Sequence, residues 1–134
     1  MKIDGSCHCG EITYQAEIAP EMVGICHCTD CQALSASAFR TIGQLEPGQF
    51  KLLSGTPKVY IKMGDSGNPR EQAFCQNCGS AIYATSVGDG PKVHNIRMGT
   101  VKRCAQLPPQ FEKWAQSAQE WMPIIGENGR EEQQ

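Results

Sequence analysis

The chain has 134 residues, one domain's worth, and a chain of that length buries roughly two-thirds of the surface its unfolded state exposes. Twelve basic against fourteen acidic residues leave a formal charge of −2, so there is no strong positive field to attract nucleic acid or an acidic membrane. The opening Met1-Lys2-Ile3-Asp4-Gly5-Ser6 has no apolar signal core and no later run approaches the length of a membrane span, so the expectation is a soluble, intracellular, cytoplasmic protein.

In chain order, the pair Cys7-His8-Cys9 comes first, at the head of an alternating stretch. Ile12, Tyr14, Ala16 and Ile18 interleave with Thr13, Gln15 and Glu17, the period-2 pattern of a strand with one face on a core. Pro20 ends it, and the apolar run Met22-Val23-Gly24-Ile25 delivers the triplet Cys26-His27-Cys28-Thr29-Asp30-Cys31. Thr29 or Asp30 is expected to cap a short helix running through Ala38, with Cys31 in its first turn, because no glycine or proline intervenes. Strands are expected over 39–45, 50–53 and 59–63, separated by Pro47-Gly48, Ser54-Gly55-Thr56-Pro57 and the 64–69 turn. Residues 71–74 lead into Cys75-Gln76-Asn77-Cys78-Gly79, whose glycine permits the tight turn of a zinc knuckle. Two more strands, 81–85 and 93–98, flank the Gly88-Asp89-Gly90-Pro91 turn, and the aromatics of 111–121 are expected to pack back over a sheet. Many short strands with regular turns predict an all-β domain with minor helix over 1–126, followed by a polar tail over 127–134.

Seven of the eight cysteines therefore fall into three clusters. In a reducing compartment this pattern points to metal or catalysis rather than a disulfide framework, and a Cys-x-Cys pair is poorly disposed to bridge to itself. Soft thiolates select zinc, Cu(I) or iron–sulfur clusters, and the spacing differs from that of a ferredoxin run, which makes zinc the better fit. Two flanking pairs make one closed four-thiolate site; the middle triplet makes a three-thiolate site with a free corner for substrate or water. A zinc ion on three thiolates is a weaker Lewis acid than one on histidines, and is suited to binding a further thiol as thiolate.

Together, Gly5-Ser6-Cys7-His8-Cys9-Gly10, Cys26-His27-Cys28-Thr29-Asp30-Cys31 and Phe74-Cys75-Gln76-Asn77-Cys78-Gly79 resemble the glutathione-dependent formaldehyde-activating enzyme family, which includes centromere protein V. Weaker similarity runs through Gly99-Thr100-Val101, Lys113-Trp114 and the 117–123 segment, so that the resemblance covers about residues 1–125. It implies a β-tent of two small antiparallel sheets joined at zinc, a structural ion on Cys7, Cys9, Cys75 and Cys78, and a catalytic, more labile ion on Cys26, Cys28 and Cys31. It also implies a carbon–sulfur lyase whose partners are a small thiol such as glutathione and an aldehyde such as formaldehyde, joined as S-(hydroxymethyl)glutathione. Two positions depart from the family: Ala36 stands where many members carry glycine, and Phe111 where many carry histidine near Trp114.

Other readings compete at individual residues. Both ions could be structural in a non-catalytic zinc-stabilised binding module, with His27 or a distant group closing the triplet. His8 and His27 are otherwise expected to point outward, His94 to be a packing or surface residue, and Cys104 to be a small buried apolar residue. Arg40, Arg70 and Arg97 could receive the carboxylates of a glutathione-like substrate, although lone arginines are more often surface charges. Cys9-Gly10-Glu11 with the Cys75/Cys78 pair faintly matches the zinc deaminases, but Phe74 replaces the proline of that motif.

Overall fold

The alternation between Ile12 and Ile18 forms strand β2 (Thr13–Glu17), with Tyr14 and Ala16 buried and Gln15 and Glu17 exposed. The computed structural model describes residues 1–64 and 66–122, so the tail expected over 127–134 lies outside the described residues. Strand β1 (Lys2–Ser6), which carries no long alternation of its own, pairs antiparallel with β2 from Lys2↔Glu17 to Ser6↔Thr13. On the other side of β2 lies strand β5 (Phe50–Ser54), completing a three-stranded antiparallel sheet in the order β1-β2-β5.

The remaining strands make one larger sheet. These are β3 (Val23–Cys26), β4 (Arg40–Gln44), β6 (Lys58–Met63), β7 (Pro69–Phe74), β8 (Ala81–Ser86), β9 (Asn95–Arg97) and β10 (Phe111–Lys113). Their order is β10-β3-β4-β9-β8-β7-β6. All neighbours run antiparallel except β10 and β3, which are parallel, with Lys113 opposite Cys26. The fold is thus mainly β and built from antiparallel sheets, as expected, but the sheets are unequal and one edge pairing is parallel.

One core joins the two sheets: Ile3, Ile12 and Tyr14 from the small sheet and its turn pack with Val23, Ile82 and Ile96 from the large one. Burying side chains of this size is worth about 1.5–3 kcal/mol each. Cys7, which follows β1, and Cys75, which follows β7, belong to the same core, so the sheets meet at these cysteines.

Between β3 and β4 sits helix α1 (Thr29–Ser35). It ends three residues before the expected Ala38, because Ala36 turns into the left-handed region at φ 52° and ψ 39°. Ala36 N donates to Ala33 O and Ser37 N to Gln32 O, the two bonds of a Schellman closure. The 111–121 segment also differs from expectation. Its start joins the sheet edge as β10, whereas Trp114 and Trp121 are exposed, the latter 70% so. Cys104, expected to be buried, is exposed at the start of a 3₁₀ turn.

Candidate metal centres and the adjoining cleft

Two tight turns build the first cluster. After β1, Gly10 N donates to Cys7 O and Cys7 N to Ile12 O; after β7, Gly79 N donates to Cys75 O at 2.7 Å and Cys75 N to Ser80 O. Gly79 takes φ 81°, a conformation open to glycine and costly for most side chains, as the knuckle reading requires. His8 N donates to Ser80 Oγ and ties one turn to the other, so His8 stays outside the cluster. The sulfurs of Cys7 and Cys9 are 3.5 Å apart and those of Cys9 and Cys75 3.7 Å; all four, with Cys78, lie within 4.8 Å of one another. Tetrahedral zinc with bonds of about 2.3 Å requires sulfurs about 3.8 Å apart, so this donor set fits that ion. Ser80 hydrogen-bonds Cys78 through its hydroxyl and its amide, bringing that thiol down to about 5 and favouring the thiolate a metal needs.

The second cluster, Cys26, Cys28 and Cys31, is delivered by one strand end and one helix start, and its sulfurs also lie within 4.8 Å of one another. The helix cap is Cys28 itself, rather than Thr29 or Asp30: its sulfur accepts the Cys31 amide at 3.3 Å. Cys31 occupies the first turn as expected. Its thiol is pulled down to about 5, first by the hydrogen bond with Cys26 and then, against burial, by the charge of Arg40; the same hydrogen bond pushes Cys26 up. The pair is thus disposed to share one proton, and a metal taking all three sulfurs would displace it.

His27 corrects the expectation for it. It is fully buried, and its Nε2 meets Glu112 Oε1 at 2.7 Å instead of pointing outward or closing the triplet. Its backbone is held as well, since His27 N donates to Lys113 O, and Gln32 Nε2 donates to both His27 O and Ser117 O. Glu112 and Gln32 carry no local motif; Glu112 is 85 residues away in sequence and is brought alongside by the parallel β10. His94 is a packing residue, its ring stacked on Phe50 at 4.6 Å and edge-on to Tyr83.

Two of the three arginines are also buried rather than exposed. Arg40 stands opposite Cys26 in the β3/β4 register and is 7% exposed; Arg97, on the neighbouring β9, is 9% exposed. Both donate to Gln72 Oε1, Arg97 at 2.8 Å and Arg40 at 3.4 Å, and Arg97 also donates to Asn95 Oδ1. Burial, followed by the charge of Arg40, lowers Arg97 to about 9. These groups floor a cleft of about 410 Å³ walled by Leu34, Tyr60, Phe74 and Tyr83. Arg70 is half-buried and does not line it. A second hollow of about 460 Å³ runs across β1, β2 and β5; none of the clustered cysteines lines either hollow, and it is Arg40, opposite Cys26, that joins the triplet to the first.

Comparison with known proteins gives a consistent result. The profile of the family described as glutathione-dependent formaldehyde-activating enzyme matches residues 2–117. A Halomonas elongata protein provisionally named glutathione-dependent formaldehyde-activating enzyme is 20% identical over 128 residues, covering 92% of this chain and 82% of its own length. A crystal structure of a Rhodobacter sphaeroides protein shares the fold with a TM-score of 0.57 at 14% identity, over 74% of this chain and 87% of that one.

Proposed function

We propose that this chain, which belongs to the glutathione-dependent formaldehyde-activating enzyme family, is a zinc-dependent carbon–sulfur lyase that joins and splits a thiol and an aldehyde, such as glutathione and formaldehyde. The observation that supports the reading is the asymmetry of the two clusters: four sulfurs at the seam of the two sheets, and three whose strand neighbour Arg40 lines a cleft together with Arg97. In this reading Cys7, Cys9, Cys75 and Cys78 hold a structural zinc, and Cys26, Cys28 and Cys31 hold a second one, the catalytic ion. Zinc held by Cys26, Cys28 and Cys31 would bind a further thiol and favour its thiolate form.

The chain's own groups do the rest. Arg40 and Arg97 place positive charge beside the triplet and favour thiolate over thiol there. Phe74 and Tyr83 give the cleft a largely apolar wall against which the aldehyde would lie. The substrate sulfur attacks the carbonyl carbon, a C–S bond forms, the π electrons move to oxygen, and the oxygen takes a proton from solvent; the lyase direction reverses each step. Holding both reactants in one cleft supplies much of the gain. Seven thiolate ligands must stay reduced, which fits a cytoplasmic location.

The test is zinc stoichiometry with and without a mild chelator, alongside the rate at which S-(hydroxymethyl)glutathione forms above the spontaneous reaction. Wild type is expected to hold two zinc ions, one of them labile, and Cys28→Ser to lose that ion and the added rate together. Two inert ions and no added rate would leave the non-catalytic binding module as the reading.

A further inference from the structure

Arg40 and Arg97 present an unbalanced charge. Each is more than nine-tenths buried, and among the described residues neither makes an ion pair with an aspartate or glutamate. They share a single neutral acceptor, Gln72 Oε1, and the Nε of each guanidinium has no hydrogen-bond partner. Buried cations without a countercharge are costly, and side-by-side cations more so, unless an anion completes the arrangement. The triplet offers part of it. Cys31 feels the charge of both guanidiniums, yet among the described residues no carboxylate pairs with either.

Geometry points the same way. Arg40 is the cross-strand partner of Cys26, and both arginines line the cleft of about 410 Å³ whose other walls are largely apolar. A guanidinium already fixed by a side-chain amide presents its remaining N–H groups in a planar fork, the shape that receives a carboxylate. We propose that Arg40 and Arg97, held by Gln72, form a carboxylate-binding subsite beside the triplet, so that the substrate thiols of this protein carry a carboxylate within reach of the sulfur. The assignment rests on the reading that the triplet binds a thiol. It extends that reading to a substrate class, and it separates these two arginines from Arg70, which has no place in the cleft.

The test uses two thiols that differ only in the group at issue, 3-mercaptopropionate and 3-mercapto-1-propanol, titrated calorimetrically into the zinc-loaded full chain. Hydrogen bonds to charged groups predict that wild type binds the carboxylate about 10- to 100-fold more tightly. Arg97→Met and Arg40→Met should bring the two affinities together by weakening the carboxylate alone, and Arg97→Lys, which keeps the charge but loses the fork, should keep only part of the preference. Equal affinities in wild type would overturn the subsite while leaving thiol binding intact. If neither thiol binds, the thiol-binding reading itself fails, and the subsite with it. The wild-type comparison stands even if an arginine variant does not fold.

Discussion

Ala36 is a non-glycine residue held at φ 52°, directly after the helix that carries Cys31. The left-handed region costs an ordinary L-residue roughly 1–2 kcal/mol, and glycine removes that cost while adding some freedom to the unfolded chain. Ala36→Gly is therefore expected to raise stability by about 0.5–1 kcal/mol, read as a higher urea midpoint at unchanged slope. At this scale the cysteines were the most legible part of the chain, because ligand spacing is a local property. Burial was the least legible. His27, Arg40 and Arg97 are buried because of Glu112 and Gln72, partners distant in sequence, and Cys104 is exposed because the turn that carries it lies at the surface. No window of residues contains those facts.

Among the elements, β10 is the one that periodicity could not supply. It is three residues long, runs parallel to β3 and depends on a close approach: a Cβ on Gly24 would fall 2.3 Å from the Phe111 ring. Gly24→Ala is expected to force Phe111 aside and cost about 1–3 kcal/mol, with part of the loss recovered in the Gly24→Ala/Phe111→Ala double variant. A denaturant-unfolding cycle over the four proteins measures that coupling; simple additivity would mean that the ring and the glycine do not meet. The longer strands were legible from alternation and turn residues. The end of α1 was not, because an alanine closes it where a glycine was the expected signal.

For the molecule as a whole, the proposed structural zinc on the four-sulfur cluster would fasten the two sheets, since Cys7 and Cys75 lie inside the shared core. Structural zinc sites contribute on the order of 10 kcal/mol, comparable with the entire stability of a typical domain. Cys75→Ser is therefore expected to lose near-UV circular dichroism and cooperative melting at 25 °C, while Cys28→Ser keeps both. A folded, cooperatively melting Cys75→Ser protein would remove the closed cluster from its structural role.

The same fastening sets an order of assembly. The triplet is complete once residue 31 has been made, whereas the four-sulfur cluster must wait for Cys78, 47 residues later. On a ribosome adding about 5–20 residues per second, that gap lasts roughly 2–9 s. During those seconds the nascent chain offers three neighbouring thiols at the triplet and only two at its beginning. If both clusters hold metal as proposed, the triplet is thus the first to compete for the cell's free metal, and the cluster at the seam of the sheets is the last to load.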